Sequence, residues 1–189
     1  MSQAKSLTQS EITKVLEYIA ARNFALRNRT MFLTSLYSGM RAKEISCLRI
    51  ADVLNEDGTV RSEVRLTAEM TKGRHPRTVY LNVKLQTELQ RYLDMRRVDD
   101  KTQPLFITAG RKAFSAAGMV QFFYWLYKDA GINGASSHSG RRTYATVIAA
   151  KGTSLRVLMR LMGHKNLATT AVYVDASDDM MRNAVELIG

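Results

Sequence analysis

The feature that most constrains this chain is a change in hydrophobic period. Ile12, Val15, Leu16 and Ile19 recur at helical spacing, as do Leu85, Leu89, Tyr92 and Leu93, whereas Val64, Leu66, Ala68 and Met70 alternate like a half-buried strand. Thr78 to Leu81 returns as a second strand across a polar turn marked by Gly73 and Pro76. A turn at Asn55 to Gly58 allows a third strand near Val60. The pattern predicts a mostly helical α+β domain with a small three-stranded antiparallel sheet.

Local signals place the other helices. Thr8 and Glu11 make a capping box, with Leu7 and Ile12 as a hydrophobic staple. Helices are expected over Leu26 to Tyr37 and over Arg41 to Leu48, the break between them being Gly39. Ser115 can cap a helix carrying Phe122, Phe123, Trp125 and Leu126. Arg141 to Ala150, Ser154 to Met162 and Leu167 to Val174 follow, then an amphipathic tail from Asp178 to Ile188. At 189 residues, without a repeat or an evident linker, this is one domain, residues 1–174, with a tail helix over 175–189.

Charge narrows the partner. A surplus of 28 Lys+Arg over 17 Asp+Glu, +11 in all, favours a polyanion, because each neutralised phosphate releases condensed counterions. A merely basic, inert surface would have the same composition. The single cysteine, Cys47, excludes an internal disulfide and a thiolate metal cluster, and its apolar neighbours suggest a buried structural thiol. No stretch approaches the ~20 apolar residues of a membrane span, and the N-terminus lacks the apolar core of a signal peptide. A reduced, cytoplasmic setting is expected.

Five local features bear on chemistry, each weak alone. Arg41 stands directly after the break in Ser38-Gly39-Met40-Arg41-Ala42-Lys43-Glu44, and Lys72 lies in the hairpin turn; either could be an ordinary solvated cation. His138 and Arg141 stand three apart where a helix begins, so both can address one point. His164 follows the helix stop Gly163, where a histidine also suits the dipole on its own account. Tyr173 lies nine residues beyond His164, at a spacing equally suited to core packing.

Taken in order, these motifs resemble the tyrosine recombinases of the phage integrase family, over nearly the whole chain from Leu7 to Tyr173. The resemblance implies the recombinase catalytic fold and a site built around one scissile phosphate of double-stranded DNA. Tyr173 would be the nucleophile, forming a 3′-phosphotyrosyl link and freeing a 5′-hydroxyl. Arg41 and Arg141 would grip the non-bridging oxygens, Lys72 would protonate the leaving oxygen, His138 would assist proton transfer at the tyrosine, and His164 would donate to a phosphoryl oxygen. Glu44 would orient Arg41 rather than touch DNA. Lys43, Arg74, Arg142 and Lys165 are candidate DNA contacts. The reaction would need neither metal nor ATP nor any other cofactor, and the chain would act on DNA as a homotetramer. A DNA-binding regulator of the same fold without catalysis, and a type IB topoisomerase, are the competing readings.

The chain departs from the family pattern in two places. Gly140 stands where leucine is usual, which should loosen the start of that helix, and Arg142 replaces a second histidine. The motifs also begin within the first ten residues, where family members usually carry a separate N-terminal helical domain; the chain is then either a minimal recombinase or the catalytic half of a longer protein. Met181, Ala184, Val185 and Ile188 give the tail one apolar stripe, able to fold on its own domain or to exchange between protomers.

Overall fold

A computed structural model describes residues 4–71, 73–97, 99–173, 181–182 and 185–186. The chain divides into two units, Met1–Tyr144 and Ala145–Gly189.

In the first unit, α1 (Gln9–Ala20) opens with the expected capping box: the Glu11 amide donates to Thr8 Oγ1 at 3.3 Å, and the Thr8 amide donates to Glu11 Oε2 at 3.0 Å. Leu7 is buried beneath it, as a staple requires. The helix α2 (Ala25–Ser38) ends at Gly39 in the left-handed region. The short α3 (Ala42–Cys47) and α4 (Ile50–Val53) come next; α4 is a single turn, too short for a periodic signal. Then come β1 (Glu63–Leu66), β2 (Arg77–Tyr80), α5 (Val83–Arg96) and α6 (Ala116–Asp129). Asn82 caps α5 and Ser115 caps α6, each accepting a backbone N–H at 2.9 Å. The core forms where α2 packs on α1, α3 and α5, and α6 packs on α1 and α3, around Phe32, Ile45, Leu85, Phe123 and Leu126.

Among the described residues the sheet has two strands, not three. β1 and β2 pair antiparallel from Glu63–Tyr80 to Leu66–Arg77, while Val60 makes only an isolated bridge to Leu54. The reason is where the backbone donors go. The Val60 amide is taken by the Gln90 side chain at 3.0 Å, and residues 55–59 close on themselves through Asn55 N–H to Thr59 O at 2.8 Å. β1 also stops at Leu66, short of the alternating run, because the Thr71 amide turns back to Ala68 O at 3.3 Å. Cys47 is half-buried rather than buried.

The helix α7 (Ser139–Ala150) begins in the first unit and ends in the second. Its Gly140 is no weak point. An added Cβ would lie 2.5 Å from Ser35 Oγ and 3.2 Å from the Ser35 carbonyl carbon, so the missing side chain is what lets α7 approach α2.

In the second unit, Ser154 caps α8 (Leu155–Met162), which stops at Gly163 with φ +59°. The Gly163 and His164 amides fold back onto Arg160 O and Met159 O, each at 3.0 Å. The single turn α9 (Ala168–Ala171) is shorter than the span expected to reach Val174, which itself lies outside the described residues. Of the tail stripe, Met181 and Val185 are exposed, while Ala184 and Ile188 lie outside the described residues. No helix among the described residues is long and apolar enough to cross a membrane.

Candidate active site

The first unit brings the two arginine motifs together at one turn. Gly39 has φ +62°, and a Cβ there would lie 2.6 Å from the Tyr144 ring, so both its backbone and its lack of a side chain are required. Its carbonyl accepts Nη1 of Arg141, 102 residues away in sequence and only 4% exposed. Two residues past that carbonyl stands Arg41, whose amide donates to Glu44 Oε2 at 2.7 Å and whose Nη1 donates to Oε1 at 3.0 Å. Glu44 thus bonds both the backbone and the side chain of Arg41. Its carboxylate is fully buried, with a side-chain exposure of 0%.

A buried carboxylate needs more than one partly exposed partner. The second is Arg77 at the start of β2, whose Nη2 donates to Glu44 Oε2 at 2.8 Å and Nε to Oε1 at 3.3 Å. Burial pushes the Glu44 carboxyl up, but the hydrogen bonds and charge of Arg77, joined by those of Arg41, hold it below the usual carboxylate range. The carboxylate and two guanidiniums together carry one net positive charge. Tyr144 stands one helical turn beyond Arg141; burial raises its phenol above the ordinary value despite the opposing charges of Arg77 and Arg141. Neither Arg77 nor Tyr144 is distinguishable in sequence from a solvated strand arginine or a core tyrosine.

His138 is exposed just before α7, its Nδ1 3.4 Å from Ser137 Oγ, and its carbonyl accepts the Arg142 amide at 2.8 Å. Lys72 lies outside the described residues. Its neighbours do not: the Lys43 ammonium donates to Glu69 O at 3.0 Å and Thr71 O at 3.4 Å, so backbone carbonyls hold this candidate DNA contact. Arg74 is exposed at the same turn, with φ +53°.

The second unit pairs His164 with Tyr173. Their rings stack at 6.2 Å between centroids and 20° between planes, and His164 Nδ1 lies 2.9 Å from Thr170 Oγ1. Thr170 is fully buried, so it fixes the imidazole ring. Its place in the Thr169-Thr170 run gave no hint of this. Lys165 is exposed beside His164.

The model of the phage integrase family matches residues 5–180. Among curated relatives, the tyrosine recombinase XerA of Pyrococcus furiosus is 31% identical over 185 residues, covering 96% of this chain and 61% of the relative. Tyrosine recombinase XerC of Pelobacter propionicus is 30% identical over 160 residues, covering 84% and 51%. This chain thus spans between half and two thirds of the length of these relatives. Among solved structures, XerA recombinase superposes with a TM-score of 0.74 at 24% identity, covering 99% of this chain and 64% of that one. The Tn1549 transposon integrase, solved with circular intermediate DNA, superposes with a TM-score of 0.76 at 20% identity, covering 100% and 68%. These superpositions establish the fold. With residues 5–180 of the chain matched by the family model and the arginine motifs joined at Gly39, the chain belongs to the phage integrase family.

Proposed function

We propose that this chain is the catalytic domain of a site-specific DNA recombinase that cuts and rejoins strands through a covalent bond to Tyr173. The observation that carries the reading is the Gly39 turn, where the Gly39 carbonyl holds Arg141 and Glu44, itself anchored by Arg77, holds the Arg41 backbone and guanidinium. Fixed guanidinium forks suit a phosphoryl group, whose transition state gains charge on its non-bridging oxygens.

In the proposed reaction, the Tyr173 oxygen attacks phosphorus and the bond to the 5′ oxygen breaks. Lys72 gives its proton to that oxygen, so the products are a 3′-phosphotyrosyl strand and a 5′-hydroxyl. His138 assists removal of the phenol proton, and His164 donates to a phosphoryl oxygen. Tyrosine ionises near pH ~10, so at neutral pH a tyrosine nucleophile needs cationic groups and a base to assist it. Rejoining is the reverse: a 5′-hydroxyl attacks the phosphotyrosine, the bond to Tyr173 breaks, and the phenol recovers its proton. The phosphotyrosine conserves the bond energy, so neither ATP nor a metal enters the scheme.

The same reading assigns Arg74, Arg142 and Lys165 to the DNA backbone. It takes residues 1–174 as the catalytic domain, with the tail 175–189 exchanged between protomers of a tetramer on DNA. The test is to incubate the chain with a library of nicked duplexes of random sequence and recover denaturant-resistant protein–DNA adducts. Adducts that resolve into recombinant joints support a recombinase. DNA retention without adducts indicates a regulator, and relaxation of supercoils without joints indicates a topoisomerase.

A further inference from the structure

We infer that Lys43 is a positioning residue for Lys72, fastening the hairpin turn that carries the general acid to the helix beside Arg41. The inference rests on the reading of Lys72 as the proton donor to the leaving oxygen.

Lys43 stands in the first turn of α3, an electrostatically poor place for a cation, because a helix N-terminus is itself positive. Arg41, two residues before Lys43, is a second cation on the same short segment. Two backbone carbonyls compensate the Lys43 charge. Nζ donates to the carbonyls of Glu69 and Thr71, at 3.0 and 3.4 Å, and the second of these belongs to the peptide bond leading into Lys72.

The turn is braced from its other side as well. The buried Thr71 hydroxyl lies 3.1 Å from Ala68 O and 3.0 Å from His75 O, a donor shared across the turn. Beyond the turn, Arg77 is bound to Glu44 of α3 at 2.8 Å. Both legs of the hairpin are thus tied to one short helix: the incoming leg through Lys43, the outgoing leg through Arg77. Between the ties lie only Lys72 to Pro76. A lysine side chain is long and flexible, so the proton it delivers is placed only as well as its own backbone is held. Lys43 sets that backbone at Thr71, while Arg77 and Glu44 set Arg41; the acid and the phosphate clamp share one foundation.

The experiment uses a duplex captured by the unaltered chain from the nicked library, synthesised with either oxygen or sulfur at the 5′ bridging position. In both, the Tyr173 oxygen bonds to phosphorus. The oxygen leaves with a proton from Lys72, whereas sulfur leaves as a thiolate without one. Lys43→Met should cleave the oxygen duplex about tenfold more slowly, the scale of a slightly misplaced catalytic group. It should cleave the sulfur duplex at nearly the unaltered rate and bind both duplexes normally, and Lys43→Arg, which keeps the donors, should restore most of the loss. Amide exchange at Thr71 and Gly73 should quicken in Lys43→Met, a readout independent of cleavage.

Equal slowing on oxygen and sulfur with normal binding overturns the inference, since the defect then lies outside proton delivery. Weakened binding with a flatter salt dependence also overturns it and makes Lys43 a plain phosphate contact. Lys72→Ala separates the underlying reading: if sulfur fails to rescue Lys72→Ala, Lys72 is not the acid and the premise falls; if sulfur rescues Lys72→Ala but not Lys43→Met, only the inference falls.

Discussion

Arg77 closes on Glu44 with Nη2 2.8 Å from Oε2, the arginine side chain 9% exposed and the carboxylate wholly buried. This pairing, rather than that of Arg41 alone, makes a buried anion tolerable beside the site. Arg77→Ala strands Glu44 with one partly exposed partner and should destabilise the first unit by about 3 kcal/mol, the usual cost of breaking a buried ion pair from one side. Denaturant unfolding measures it. Adding Glu44→Gln to Arg77→Ala should recover part of the loss; strictly additive losses would show that the pair is not coupled.

The same carboxyl gives a pH signature. Its folded pKa is depressed, so the stability it contributes is complete above the ordinary carboxylate value of about 4.3 and is lost as pH falls through the lower folded value. The stability difference between the unaltered chain and Glu44→Gln should therefore shrink below about pH 4 and stay constant near neutrality. Denaturation midpoints from pH 7 to pH 3 provide the comparison, and parallel curves would contradict the assignment.

Gly140 and Ser35 are the sharpest packing test. Gly140→Ala should cost about 1–3 kcal/mol, because the new methyl meets Ser35 Oγ. Among the described residues Ser35 Oγ is buried with no hydrogen-bond partner, so Ser35→Ala alone should be neutral or slightly stabilising. Combined, the two changes should cost clearly less than their sum by thermal unfolding. An unrescued Gly140→Ala would mean that Ser35 Cβ, 3.0 Å from the new methyl, or the α2 backbone at 3.2 Å sets the limit rather than the hydroxyl.

Thr170→Val removes the hydroxyl beside His164 Nδ1 while nearly conserving volume. It should shift the His164 tautomer balance seen in nitrogen NMR spectra and slow cleavage about tenfold, leaving DNA binding unchanged. Unaltered ring-nitrogen spectra would remove Thr170 from the account.

What could be read in advance follows from the range of the physics involved. Thr8 and Ser115 announced their helices because a cap acts within three residues. Arg41, Glu44 and Arg141 stood out through their order in the chain, and the fold joins Arg41 to Glu44 and Arg141 to Gly39. Arg77 did not stand out, since only the folded hairpin brings it to Glu44, and between Pro76 and Thr78 it reads as one more surface cation. Gly140 misled for a related reason: sequence shows a weak helix former, while its value lies in the closeness of Ser35. The third strand failed because the turn signal at Asn55 to Gly58 says nothing of which acceptor the next amide finds; Val60 found Gln90.

The most direct test of the central claim is to map the covalent attachment on a trapped duplex. Proteolysis of the adduct followed by mass spectrometry should place a nucleotide on Tyr173 through a 3′-phosphate, and Tyr173→Phe should form no adduct while binding the duplex as before. Adducts that persist in Tyr173→Phe, or a nucleotide mapped to any other residue, would contradict the account.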